Sequence, residues 1–139
     1  MKRLTFLIIG ILLIPVSHAQ EVEQAQIDFA NKFTQVVTDQ SMKGVIKLMG
    51  KDYRKEQIKN LGGNKVQFVD ELFSGVDMLS EMFVNTNLLD ITKIEIAEIQ
   101  NVDDGELCTF RVQDGKHDIL CTLLLVKKGK HYDFVGAIG

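Results

Sequence analysis

The chain reads as an α+β fold, three N-terminal helices packed on one face of an antiparallel sheet. Three observations carry this reading. Residues 22–73 hold apolar side chains at helical spacing, bracketed by residues that cap and stop helices. From Ile91 onward, β-branched and alternating runs are separated by Asp-Gly and Lys-Gly turns. The only proline is Pro15, so nothing after it interrupts a strand ladder. Helices first and a meander last is a two-layer arrangement.

The elements follow in order. Lys2-Arg3 precede an apolar run from Leu4 to Ile14, broken only by Thr5 and Gly10 and ended by Pro15. Ser17 and Ala19 then place small residues at −3 and −1 of a cut after Ala19. That apolar run is shorter than the roughly 20 residues needed to span a bilayer. No cysteine follows the cut to carry a lipid. Residues 1–19 are therefore expected to be a signal peptide and 20–139 one α+β domain, periplasmic or secreted, with no membrane attachment after cleavage. Loss of Lys2 and Arg3 takes the formal charge from −3 to −5. An acidic chain of this kind has no electrostatic basis for binding nucleic acid or an anionic membrane. With 45% apolar and 25% charged residues, it is neither disordered nor fibrous.

Val22, Ile27, Ala30, Phe33 and Val37 form the stripe of a first helix, flanked by Phe29 and Val36. Ser41 is placed to cap a second, which buries Val45, Leu48 and Met49; Tyr53, Ile58 and Leu61 follow on a segment rich in Lys and Glu that Gly62-Gly63 terminates. Asn64 caps a third, with Phe68, Val69, Leu72 and Phe73 inward and Gly75 as its stop. Residues 76–90 fit either a short helix through Val76, Leu79 and Phe83 or an edge strand at Met82-Phe83-Val84.

Ile91–Val102 is a strand whose isoleucines fall out of strict alternation, which predicts a bulge. Asp103-Asp104-Gly105 turns the chain into Glu106–Val112. If Asp114-Gly115 is a two-residue hairpin loop, Val112 faces His117, Phe110 faces Ile119, and Cys108 faces Cys121 in the closer kind of pair, within disulfide range. An exported chain with only two cysteines adds to the expectation of a Cys108–Cys121 bond; two reduced core thiols are the alternative. A Lys128-Gly129 loop sets Leu125 opposite Tyr132, Leu123 opposite Phe134 and Cys121 opposite Gly136. One face then collects Cys108, Phe110, Val112, Ile119, Cys121, Leu123, Leu125, Tyr132, Phe134 and Ile138 as the core face. The other carries Leu107, Leu120, Leu124, Val126 and Val135, more apolar than a solvated face requires. Leu120, Leu124 and Val135 are the expected centre of a homodimer interface, with cover by residues 76–90 as the alternative.

The succession of an N-terminal helix, a break at Asp39-Gln40, a short helix through Leu48-Met49, the Tyr53 segment, a third helix and a sheet ending in Tyr132-Asp-Phe-Val resembles the nuclear transport factor 2-like superfamily, in particular its small exported bacterial members. The resemblance covers nearly all of residues 20–139 and is one of pattern. It implies a cystatin-like roll in which a curved sheet and the helices form a cone. Tyr53, Phe110, His117, Tyr132 and Phe134 are the residues expected to line that cone. Enzymes of the superfamily, such as ketosteroid isomerase and scytalone dehydratase, place Asp, Tyr and His inside it. Here the core face offers Tyr132 and His117 with no carboxylate beside them, so no catalytic residue is assigned.

Other chemistry-bearing groups have plainer readings. His131 and Asp133 share a strand face but lack a third ligand for a metal. Asp103-Asp104-Gly105-Glu106 lacks calcium-loop spacing. Gly62-Gly63-Asn64-Lys65 needs no anion to explain it, and Met42, Met49, Met78 and Met82 read first as core filling. Arg111 and Asp118 form a cross-strand pair. No cofactor or metal is expected. The reading that follows is an exported, non-catalytic binding or interaction module able to hold a small apolar ligand in the cone. The alternative is an isomerase- or dehydratase-type enzyme using Tyr53 or Tyr132 with Asp52 or His117.

Overall fold

The computed structural model describes residues 21–103 and 105–138. The leader and its cut after Ala19 lie outside the described residues. Among those described, no helix is long and apolar enough to cross a membrane.

The fold is α+β. Four helices precede the main sheet: α1 (Gln24–Thr38), α2 (Met42–Lys47), α3 (Lys51–Asn60) and α4 (Lys65–Glu71). The expected three become four because the Tyr53 segment forms a helix of its own, separated from α2 at Gly50. The Gly50 backbone N–H donates to the Phe134 carbonyl at 2.8 Å, and Phe134 N–H donates back to Leu48 O at 3.0 Å. Residues 48–50 therefore lie along a sheet edge instead of continuing a helix. A Cβ at Gly50 would stand 2.7 Å from Val135 Cγ1, so this close approach requires glycine. The two expected caps form as local side-chain-to-backbone bonds. Ser41 Oγ accepts from Gly44 N–H, and Asn64 Oδ1 accepts from Gln67 N–H, both at 3.0 Å. Gly62 and Gly63 take φ of 64° and 85° and end α3.

The ambiguous segment is extended. β1 (Ser74–Val76) and β2 (Phe83–Asn85) make an antiparallel hairpin, followed by one 3₁₀ turn at Leu88–Asp90. The second sheet is an antiparallel meander of β3 (Lys93–Val102), β4 (Gly105–Gln113), β5 (Asp118–Lys128) and β6 (His131–Ile138). An Asp77–Ile119 bridge and a hydrogen bond from Met78 N–H to Asp118 O attach the hairpin to the start of β5, the part that β6 does not reach. Met78 and Met82 consequently stand on the exposed hairpin and not in the core.

The predicted bulge falls in β3, between Ile96 and Glu98. The two hairpin registers differ from expectation. Gln113 pairs with Asp118, so the β4–β5 loop has four residues, 114–117. Asp114 stabilises this longer loop by accepting from the N–H groups of Lys116 and His117 at 2.9 and 2.7 Å. Cys108 then faces Leu123, and Cys121 faces Phe110. Both cysteines are free and buried, and the expected disulfide is not formed. Diagonal partners on neighbouring strands lie about 7–8 Å apart, beyond ordinary disulfide reach. At the next turn Lys128 pairs with His131, placing Leu125 opposite Phe134 and Lys127 opposite Tyr132.

Both slips are by an even number, so the face of each strand is conserved. Cys108, Phe110, Val112, Ile119, Cys121, Leu123, Leu125, Tyr132 and Phe134 are all buried as expected. Ile138 is the exception. A register shift between Leu124 and Leu125 makes Gly136 the partner of Leu124, and Ile138 emerges on the outside. Ile27, Phe29, Ala30, Phe33 and Val37 of α1 close the inner face. Gln26 of α1 is also fully buried, where its amide meets Asn101 of β3.

Candidate functional site

The space between α1 and the inner face of the four-stranded sheet is packed with aromatic rings. Phe33 of α1 stands 4.8 Å from Phe110 between ring centroids, 5.8 Å from Phe134 and 6.3 Å from Phe73. Phe29 and Tyr53 each close on Phe134 at 6.3 Å. Edge-to-face and tilted contacts at these spacings are favourable packing. Phe110 and Phe134 of the expected pocket are thus core residues. Tyr53 is half-buried on α3, and burial raises its phenol pKa.

The remaining two expected pocket residues are far apart. His117 lies in the β4–β5 loop and Tyr132 near the β5–β6 turn, at opposite ends of β5, about 30 Å of strand from each other. His117 is half-buried, with Nδ1 3.0 Å from Asp114 Oδ2. Burial opposes ionisation of Asp114, but hydrogen bonds from His117 and the backbone outweigh it and hold that carboxyl well below the usual range. Among the described residues, no hydroxyl or thiol hydrogen-bonds to the His117 ring. The pair therefore helps to build the turn. Asp52 is exposed in the first turn of α3. The tyrosines, Asp52 and His117 do not converge.

Tyr132 is buried beside a cleft. Its hydroxyl donates to Glu23 Oε2 at 3.1 Å, and Lys127 Nζ reaches the same oxygen at 2.9 Å. Burial, then the hydrogen bond to Glu23, raises its pKa strongly, so the phenol stays protonated as a donor. Past its ring opens a cleft of about 620 Å³ between α1, α2 and the β5–β6 turn. Phe29, Leu48 and Tyr132, all buried, form its floor. Ala25 and Val36 line the α1 wall. Gly44 lets α2 close one end, since a Cβ there would stand 2.7 Å from Val36 Cγ1. Lys32, Lys47, Lys130, His131, Asp28 and Asp133 complete the lining.

Sequence reasoning found Tyr132 but missed the rest of this cleft. Phe29 and Val36 flank the helical stripe, a signal that the first helix presents a second, narrower apolar face. Nothing in the sequence shows that α2 and the β5–β6 turn come to meet it. Among the described residues, no three His, Cys, Asp or Glu side chains converge to hold a metal ion. His131 Nε2 and Asp133 Oδ1 are 3.6 Å apart.

No protein-family model matches the chain, and no curated protein matches it.

Proposed function

We propose that this chain is an exported, non-catalytic binding module, a nuclear transport factor 2-like roll that takes a small, mainly apolar ligand. The α+β order, the β3 bulge and the shift in β6 favour a curved, cone-like sheet wrapped on α1. With the cone's centre filled by Phe33, Phe110 and Phe134, the ligand's place moves from the cone to the cleft beside Tyr132. The observation that carries the reading is that cleft: its volume falls within the usual range for ligand pockets, about 300–1,000 Å³, and its floor is apolar. Titration of the 20–139 chain with dodecanol, followed by amide NMR, should shift the resonances of Phe29, Val36 and Tyr132 saturably. Ala25→Trp fills the cleft from α1 and should abolish those shifts with the unfolding midpoint retained. Shifts that survive in A25W, or none in the parent protein, refute the cleft.

A second copy of the chain is the proposed partner for the outer sheet face. The Asp77–Ile119 bridge sets Val76 beside Leu120, and Val76 pairs with Phe83, so the hairpin extends the stripe instead of covering it. Leu120 is 40% and Phe83 68% exposed, with Leu124 half-buried between strands. Val135 is half-buried against Gly50 at the margin. Lys93 and Arg111 stand with Glu95 and Asp118 at one end of the face, so both signs are present for a copy to complement. Leu120→Glu should convert a dimer to monomer in sedimentation; a parent protein monomeric at high concentration rules the interface out.

A further inference from the structure

We propose that the cleft selects an amphiphile with an anionic head group, a long-chain carboxylate, whose alkyl part lies on the apolar floor and whose head group meets three lysines. This rests on the cleft being the ligand site. The chain as a whole is acidic, −3 in formal charge, yet three lysines converge on this one opening from three different elements: Lys32 from α1, Lys47 from α2 and Lys130 from the β5–β6 turn. Among the described residues, none of the three ammonium groups has a carboxylate within 4.0 Å, in contrast to Lys93 and Lys127.

The two acidic groups of the lining are already engaged. Asp28 Oδ1 accepts from Gln24 Nε2 at 2.8 Å, and Asp133 faces His131. With His131 neutral, three lysines stand against two carboxylates in the lining, so the mouth keeps one positive charge in excess, and the lysines stand without an ionic partner among the described residues. Phe29, Leu48 and Tyr132 beneath it exclude a bare inorganic ion as the best fit, because a hydrated anion gains nothing from an apolar floor. An alkyl carboxylate satisfies both halves of the cleft. Lysine is well matched to such a ligand, because its flexible stem covers apolar surface while its ammonium remains in water to pair with a head group.

The test compares dodecanoate and dodecyltrimethylammonium, each below its micelle-forming concentration, with dodecanol below its solubility limit, on the 20–139 chain by amide NMR and calorimetry. Dodecanoate should bind most tightly at the cleft, the cation least, and added salt should weaken dodecanoate alone. Neutralising one exposed lysine should weaken dodecanoate by up to about fivefold, and the combined variant Lys32→Gln, Lys47→Gln, Lys130→Gln by on the order of a hundredfold at most. Dodecanol should lose much less affinity than dodecanoate in that variant, because its alkyl chain keeps the Phe29, Leu48 and Tyr132 floor. If dodecanol binds as well as dodecanoate, or the triple variant leaves dodecanoate untouched, the head-group assignment is overturned while the apolar cleft stands. If no ligand shifts Phe29 and Tyr132, or the shifts appear at Leu120 instead, the cleft itself is overturned, and the assignment with it.

Discussion

The inner and outer faces of the four-stranded sheet come from the same alternating strands but meet different neighbours. Inward, Phe110, Leu123 and Phe134 are buried to 1% exposure or less under Phe33 and Phe29 of α1. Outward, Leu107, Leu120, Leu124 and Val126 are partly or largely exposed, and nothing in the described chain packs over them as a layer. Both faces are apolar in composition. What separates them is the helix laid across one of them. Alternation decides which residues share a face, and the partner layer decides which face becomes the core.

The sharpest way to break this comparison is to empty the inner face. Phe33→Ala should cost about 3–5 kcal/mol, because the ring's contacts with Phe110, Phe134 and Phe73 are lost and the rigid surroundings cannot close the void. Leu120→Ala, on the outer face, should cost under about 1 kcal/mol in the monomer. Urea midpoints at unchanged m-value measure both. Equal losses would mean that the two faces are not core and surface.

A smaller effect lies where the hairpin meets the sheet. Asp77 Oδ1 accepts from Asp118 N–H at 2.9 Å, and Oδ2 accepts from the Ser80 hydroxyl at 2.7 Å and its N–H at 3.1 Å. The Ser80 hydroxyl, then the Asp118 backbone, lowers the Asp77 pKa from 3.8 to about 2. Between those values the unfolded chain binds more protons than the folded one, so this contribution is complete above pH 3.8 and is lost as pH falls toward 2. Asp77→Asn should flatten the fall in urea midpoint over that interval. A slope identical to the parent's would show that Asp77 does not anchor the hairpin in this way.

The smallest expected change concerns the thiols of the inner face. Burial pushes Cys121 up to about 12 and Cys108 higher still, so neither forms a thiolate near neutral pH. Iodoacetamide should leave both intact in the folded protein and add two adducts once it is unfolded without reductant. A linked Cys108–Cys121 peptide, or rapid labelling of folded protein, would contradict a closed inner face with two free thiols.

Much of this organisation was legible in the chain because the signals are local. Ser41 and Asn64 bond to backbone amides three residues on, and Gly62-Gly63 adopts the left-handed conformation that ends a helix. Strand period alone placed Cys108, Phe110, Ile119, Leu123 and Phe134 on one face, and it survived errors of two residues in both hairpins. Absolute register was another matter. Two- and four-residue loops at Asp114 give the same faces, and only the Asp114 side chain bonding within the loop, together with the pairing of Gln113 to Asp118, separates them. The fate of the cysteines, of Ile138 past the β6 shift and of residues 74–85 hung on contacts between segments far apart in sequence. So did the cleft: Phe29, Leu48, Lys130 and Tyr132 become neighbours only when α1, α2 and the β5–β6 turn pack together. Periodicity determined the faces of each element by itself, whereas register, edge pairing and the cleft are properties of packed surfaces that no single segment contains.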